Sequence, residues 1–398
     1  MKRMISLLII IIMLLSSSCL SPVSIDAYGY VITVGVDKGR DKRFYYTFAL
    51  QRELAEQNTE SEGGAIILCC EGDSVFDAVN ELEGNVPYTL NFSRVSFLVF
   101  GSETAKAGDI RDFVSTSFDS LRIRTSAVVI VSEGDAFEFV GGMYANNEAN
   151  ITKLQSALMT DKEKTGTVTA MSVSRLIEAC SDGRFDYVAA LGSYDEDILT
   201  DMSQKKSESE GENPLKDVEA GDRVGGLKSL ITGAALFSGY SMTGSLTRDD
   251  IMFLNMAVGE FKNGSLTLKY NNSFITVLLT LIKSKRSITI NKDGVEAHAE
   301  IALSASVRLK DAGIKAGDAD AFLTEYLPGY IQERLTEVFI KCRDADSDAM
   351  RFGQDAVKHF GSVSDWEEFC WKDRYRSLTP EFKVTVRTTD KYINEDMQ

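Results

Sequence analysis

The 398-residue sequence predicts an α+β protein of more than one domain, in which helices pack on mixed and antiparallel sheets. Three observations lead to this fold class. In the first half, short apolar β-rich runs alternate with helical patterns, which is typical of helices layered on a sheet. In the second half, long β-rich runs precede a long amphipathic helix. An acidic segment of low hydrophobicity separates the two halves.

The first eighteen residues have the pattern of a secretory signal peptide. A cationic start precedes an apolar run from Ile5 to Leu15, which is shorter than the roughly 20 residues needed to span a bilayer. Three serines then lead to Cys19, and this order predicts a lipoprotein signal in which residues 1–18 are removed and Cys19 carries lipid. An uncleaved signal anchor is the alternative. Residues 19–27 would form a tether.

The N-terminal region, predicted over residues 28–194, contains β-rich runs bounded by turn residues. Asp73 or Ser74 can cap a helix after the third run, another helix is expected near Asp109–Phe118, and residues 135–181 read as mainly helical. The predicted strands are Gly29–Val36, Phe44–Leu50, Ala65–Cys70, Arg94–Phe100, Ala127–Val131 and Phe185–Leu191.

Residues 195–224 are predicted to be a linker or surface loop. Between Asp195 and Arg223 there are ten acidic residues against four basic ones, with few apolar side chains. Such a segment cannot bury enough apolar surface to form a core.

The C-terminal region, predicted over residues 225–398, is α+β as well. A helix over Arg248–Val258 capped by Thr247 is expected, and a long helix over Gly329–Arg343 has one apolar stripe that would cover a sheet. A shorter helix is expected near Ala349–Phe360. The predicted strands are Ile231–Phe237, Ser265–Tyr270, Phe274–Ile282, Ser287–Ile290, Val295–Leu309 and Phe382–Arg387. In the fifth of these, the alternation predicts that Ile301, Leu303, Ala305, Val307 and Leu309 face one way.

Composition excludes some functions. The formal charge of −16 argues against a nucleic-acid partner, because phosphate backbones attract basic proteins. Apart from Cys19, five cysteines stand at irregular spacing, so no disulfide framework is expected.

Motifs of catalysis, phosphate binding and zinc binding were not found in the sequence. Its two histidines, His298 and His359, have no motif partner. Asp344, Asp346 and Asp348 alternate as in a calcium loop, but the glycine that should follow and the final glutamate are replaced by Ala349 and Asp355. The aromatic residues Trp366, Phe369 and Trp371 could stack on a sugar, although core packing is the simpler interpretation. We therefore expect no catalytic residues, no metal and no cofactor.

Several motifs taken together resemble the C-subunit lipoproteins of spore germinant receptors over nearly the whole mature chain. The similar segments are Val31–Gly39, with its Gly-x-Asp-Lys-Gly turn, then Glu71–Ala78, Phe97–Gly108, Arg124 with Ala127–Gly134, Gly233–Phe237, Asp348–Gly353, Trp366, Trp371 and Phe382–Thr388. The chain departs from the family at Leu20, where tryptophan is usual, at Arg387–Asp390, where the family ends in Arg-x-Gly, and in the short spacing from Trp366 to Trp371.

This resemblance implies a nutrient-receptor subunit on the spore inner membrane. It also implies two integral-membrane partners, an A-type subunit with a soluble domain and a transporter-like B-type subunit, with contact to the lipid bilayer through Cys19. On this basis the protein would be a non-catalytic scaffold and signalling subunit. A solute-binding lipoprotein of a transporter is the alternative, and a peptidoglycan-cleaving enzyme with an acid site is the third possibility.

Overall fold

A computed structural model of the chain describes residues 27–50, 65–117, 120–147, 151–194, 228–270, 272–291, 294–310, 314 and 316–388. The predicted lipidation site Cys19, nearly all of the predicted tether and the acidic segment 195–224 lie outside these residues. The α+β fold class with mixed and antiparallel sheets is confirmed.

A large mixed sheet forms the centre of the first half. Its strands are β1 (Tyr28–Lys38), β2 (Phe44–Leu50), β3 (Ile66–Gly72), β4 (Thr89–Asn91), β5 (Phe97–Phe100), β6 (Val128–Ser132), β7 (Val188–Tyr194), β8 (Ser229–Ser238) and β9 (Ser241–Thr247). In spatial order the main path runs β3-β2-β1-β5-β6-β7-β8-β9, with β4 beside β1. Strands β1, β5, β6 and β7 are mutually parallel, and the outer pairs are antiparallel.

Helices cover both faces of this sheet, which explains why β5 is apolar throughout and β6 is apolar up to Ser132, rather than alternating. Every residue of β5 and of β6 is buried. Two separate apolar clusters pack on the opposite faces. The helices of this half are α1 (Val75–Glu83), α2 (Ser102–Ala107), α3 (Ile110–Ser117), α4 (Ala136–Asn147), α5 (Ile151–Lys164) and α6 (Val173–Asp182).

The helix α7 (Arg248–Val258) has the predicted bounds and the predicted cap. The Thr247 side chain accepts a hydrogen bond from the Asp250 backbone N–H, and the Asp250 carboxylate accepts one from the backbone of Thr247. This reciprocal capping box satisfies two N–H groups that would otherwise have no partner.

A smaller sheet follows, with the four strands β10 (Asn263–Tyr270), β11 (Ser273–Asn291), β12 (Gly294–Lys310) and β13 (Glu381–Thr388). Their spatial order is β10-β11-β12-β13. The long helix α9 (Leu327–Asp344), which a short helix α8 (Ala316–Ala321) and a π-helical turn (Phe322–Tyr326) precede, packs its predicted apolar stripe on β13 and neighbouring elements.

Three predictions for this half needed correction. The two strands predicted at Phe274–Ile282 and Ser287–Ile290 form one strand, β11, with a register shift near Leu281. Leu309 is 68 % exposed rather than facing the core, because a bulge between the pairs Thr276–Leu309 and Val277–Val307 inserts an extra residue and reverses the alternation. The helix predicted near Ala349–Phe360 is only the short α10 (Gly353–Ala356) and a 3₁₀ turn (Val357–His359).

The large sheet contains strands from both sides of the predicted linker. Strands β8 and β9, assigned by sequence to the C-terminal region, pair with β7 and so complete the sheet of the N-terminal region. The division of the chain at residues 195–224 stays a prediction.

Candidate functional site

Three charged residues that are far apart in the sequence meet where the N-terminal and C-terminal halves touch. We call Asp186, Asp348 and Lys372 the polar junction. The Asp348 backbone N–H donates to the Asp186 carboxylate at 2.7 Å, and the Gly239 N–H donates to its other oxygen at 3.1 Å. The Lys372 ammonium, on helix α12 (Trp371–Arg376), also donates to Asp186. Asp186 therefore links β7, the β8–β9 turn and the C-terminal helices.

Asp348 is completely buried in the loop that follows α9. Its carboxylate accepts hydrogen bonds from the Phe352 and Gly353 N–H groups, at 2.9 and 2.7 Å, and from the Trp371 indole at 3.0 Å. Burial raises its pKa to about 7, and the nearby Asp186 charge adds to this, although the N–H donors partly oppose the rise. Asp348 thus fixes the loop and the tryptophan in one arrangement.

The alternating acids do not form a calcium loop. Arg376 makes a bidentate ion pair with Asp346, in which its Nε and Nη2 atoms lie 2.9 and 3.0 Å from the two carboxylate oxygens. Asp344 pairs with its neighbour Arg343. Burial opposes ionisation of Asp346, but Arg376 and Lys372 outweigh it and lower its pKa. Within the described part of the chain, no group of three or more histidine, cysteine or acidic side chains is arranged to hold a metal ion.

A pocket of about 610 Å³ lies beside the polar junction. It opens between the end of α6 and the helices α11 (Val363–Phe369) and α12. Trp366 and Trp371 stack with ring centres 6.1 Å apart, and both are nearly buried, as the core interpretation predicted. The volume and the mixture of aromatic and charged walls suit a small ligand. The lining includes Arg184, Phe360, Trp366, Glu367, Trp371 and Lys372.

The motifs that carried the resemblance hold the fold together. Asp37, in the Gly-x-Asp-Lys-Gly turn, accepts hydrogen bonds from the Ala136 and Phe137 N–H groups at 2.6 and 2.9 Å, so it caps α4. Arg124 donates to the Arg94 carbonyl and to the Ser96 hydroxyl, both at 3.0 Å, and so fixes the approach to β5.

The histidines have structural partners. His298 Nδ1 lies 3.1 Å from a Glu381 carboxylate oxygen, and His359 Nε2 lies 3.0 Å from the Ile288 carbonyl. The structure does not bring them together with the acids of the polar junction.

The chain was then compared with known proteins. A family model described as the spore germination protein N-terminal domain matches residues 21–191, and one described as spore germination B3/GerAC like, C-terminal, matches residues 232–391. The chain belongs to this family of spore germination proteins. The GerAC-type family comprises C subunits of germinant receptors, as the sequence motifs had indicated, and membership gives the protein a role in spore germination.

A solved structure has the GerAC-type fold as well. The crystal structure of the GerBC protein aligns with a TM-score of 0.54 at 11% identity, over 90% of this chain and 97% of the other. At this identity the match supports the fold alone. No curated protein matches the sequence significantly. Among the helices of the described residues, none has both the length and the apolar character to cross a membrane.

Sequence reasoning missed the polar junction of this GerAC-type chain. Asp186 stands in no motif, and Lys372 follows a tryptophan that drew attention for other reasons. Asp348 lay in a segment that carried the resemblance, but its partners are 162 and 23 residues away.

Proposed function

We propose that this GerAC-type protein is the lipid-anchored C subunit of a spore germinant receptor. Lipid on Cys19 would hold it on the outer face of the cytoplasmic membrane, which in the spore is the inner membrane. The observation that carries this proposal is the pair of family matches, the first of which begins directly behind a signal-like segment ending at Cys19.

Within the receptor, we propose a scaffold and signalling role without catalysis, beside the A-type and transporter-like B-type integral-membrane subunits. The buried carboxylates support this role, because Asp37, Asp186 and Asp348 accept hydrogen bonds from backbone N–H groups and so join distant parts of the chain. A body clamped in this way suits a rigid element between membrane partners.

The anchor is tested with Cys19→Ala and a matched Cys370→Ala variant, since Cys370 is an exposed free thiol. We expect wild type and Cys370→Ala in the membrane fraction, with a diacylglyceryl mass on the mature N-terminus. Cys19→Ala should appear in the soluble fraction with unchanged thermal unfolding. An unmodified mature N-terminus in the wild type contradicts the anchor.

The assembly is tested by purifying the tagged protein from spore membranes in mild detergent. Two polytopic subunits should co-purify with wild type and with Cys370→Ala. If the wild-type protein is recovered alone from intact spores, the receptor assignment is wrong.

The pocket favours one second candidate, a solute-binding lipoprotein that delivers a nutrient to a transporter. The chain has two tryptophans, Trp366 and Trp371, and both line the pocket. Intrinsic fluorescence therefore reports on this pocket selectively. The scaffold proposal expects no saturable change when amino acids, sugars or nucleosides are titrated, whereas a saturable change that Trp366→Phe abolishes would favour solute binding.

A further inference from the structure

The small sheet has one face that the described helices leave uncovered. Helix α9 packs on one face, where Ile275, Val277, Ile301 and Leu303 are buried. The pairing register assigns the alternating side chains to the other face, which we call the outer face, and none of them is buried. They are Asn263, Ser265, Thr267 and Lys269 on β10; Phe274, Thr276, Leu278, Thr280, Lys283, Lys285, Ser287 and Thr289 on β11; Glu296, His298, Glu300, Ala302, Ser304, Ser306 and Leu309 on β12; and Glu381, Lys383, Thr385 and Arg387 on β13.

Charge is unevenly distributed along this outer face. The acidic residues Glu296, Glu300 and Glu381 are at the end formed by the β11–β12 hairpin turn. Two of them are already partnered, because Glu300 lies 4.0 Å from Lys283 and Glu381 lies 3.1 Å from His298. Lys285 and Lys383 lie on either side of Glu300 on the neighbouring strands, and from there to Lys269 at the far end the outward charges are all cationic. One face of an otherwise acidic protein therefore carries exposed positive charge.

Two strongly exposed large apolar side chains stand among these cations. Phe274 is 55 % exposed and lies directly across from Lys269. Leu309 is 68 % exposed because of the bulge, and the extra residue of that bulge, Arg308, is exposed beside it. Within the described residues, no acidic side chain forms an ion pair with Lys269 or Arg308. Exposed apolar groups flanked by cations are the pattern of a surface that inserts shallowly into an anionic bilayer interface.

We propose that the cationic part of this outer face, with Phe274 and Leu309 at its tip, docks on the anionic lipid surface. The formal charge of −16 makes most of the protein repel such a surface. The cationic patch is where attraction outweighs that repulsion, so it orients the body on the membrane. The inference deepens the proposed anchor, since acyl chains at Cys19 would hold the body close enough for this weaker contact to form.

The test uses the full lipidated chain, reconstituted from detergent into vesicles of phosphatidylglycerol or of phosphatidylcholine. Hydroxyl-radical footprinting then reads the solvent access of individual side chains. Modification of Phe274 and Leu309 should be at least about three-fold lower on phosphatidylglycerol vesicles, because only these are anionic. Val363 and Phe137, exposed by 70 % and 43 %, serve as internal controls and should react equally on both.

Charge reversal provides the second arm. The double variant Lys269→Glu/Arg308→Glu should return Phe274 and Leu309 to the reactivity seen on phosphatidylcholine. The control double variant Lys106→Glu/Lys153→Glu changes exposed helical positions and should leave the protection in place. Equal modification of wild type on both lipids overturns the proposal. Protection that appears only in native membranes with other receptor subunits also overturns it, because it identifies a protein interface. Retention of the chain on both vesicle types reports separately on the anchor, so the two proposals fail independently.

Discussion

Asp37, at the end of β1, caps a helix that begins at Ala136, 99 residues further along the chain. Burial raises the pKa of this carboxyl to about 6, although the two N–H donors act in the opposite direction. The Gly-x-Asp-Lys-Gly turn of the GerAC-type family therefore has an architectural role, because it fixes α4 on the large sheet.

The first prediction concerns Asp37→Asn. The amide keeps one acceptor oxygen but loses the other, so we expect a loss of about 1 kcal/mol in the free energy of unfolding near neutral pH. Because the folded pKa of Asp37 lies above its ordinary value of 3.8, the stabilisation from the protonated form is complete below pH 3.8 and is lost as the pH rises through about 6.

Urea unfolding of wild type and Asp37→Asn across this pH window measures the effect. As the pH rises, the free energy of unfolding of wild type should fall more steeply than that of the variant, because the amide of the variant cannot titrate. Asp41→Asn, at an exposed position in the turn between β1 and β2, is the control and should follow wild type. Parallel curves for wild type and Asp37→Asn would contradict the assigned shift.

The second prediction concerns Gly101, which lies against the same carboxylate. A methyl group on Gly101 would lie 2.1 Å from an Asp37 oxygen, so Gly101→Ala must displace the cap and should cost about 2 kcal/mol or more. Gly134→Ala is the matched control, because its added methyl group meets no atom within 4 Å. The midpoints of thermal unfolding of the two variants should differ by several degrees. Equal midpoints would show that the Asp37 cap can move aside for a methyl group on Gly101 at little cost.

These two positions also show how far the sequence could predict this protein. Alternation and apolar runs predicted most strands and the long helix α9, since those patterns depend on neighbours in the sequence. The capping of α4 by Asp37 and the pairing of β8 with β7 depend on partners beyond a long stretch of chain, which a single sequence does not encode locally. Leu309 was assigned to the wrong face because one bulge reverses the alternation after it.

The third prediction concerns the polar junction. Lys372→Met removes the ammonium that donates to Asp186, to the Ser238 hydroxyl at 3.0 Å and to the Asp346 carbonyl at 2.6 Å. Since Asp186 is 5 % exposed, its carboxylate loses a charged donor with little water to replace it, and about 2 kcal/mol of unfolding free energy should be lost.

Lys358→Met is the matched control for Lys372→Met. Lys358 is 70 % exposed, and its partner Asp355 keeps a second ion pair with Arg286, so removal of the Lys358 charge should change stability by less than about 0.5 kcal/mol. Denaturant titration of both variants gives the comparison. If Lys372→Met is as stable as Lys358→Met, the polar junction does not hold the two halves together.

The fourth prediction concerns Glu260, which joins the halves at a second place. Its carboxylate pairs with Arg351 at 2.6 Å and with Lys162 on α5. Burial opposes ionisation, but the two cations outweigh it and lower the pKa of Glu260 to about 2. The folded pKa is below the ordinary value of 4.5, so the stabilisation is present above pH 4.5 and is lost as the pH falls towards 2.

Glu260→Gln should therefore be less stable than wild type at pH 7, by about 3 kcal/mol, because the buried Arg351 loses its partner. The difference should shrink as the pH is lowered from 4.5, because the unfolded wild-type chain then takes up a proton on Glu260 and the variant cannot. Glu163→Gln is the control, since Glu163 forms an exposed pair with Lys262 whose rupture should cost little. Unfolding followed by circular dichroism at several pH values measures both, and a constant difference between wild type and Glu260→Gln down to pH 2 would mean that the ion pair does not couple to acid unfolding.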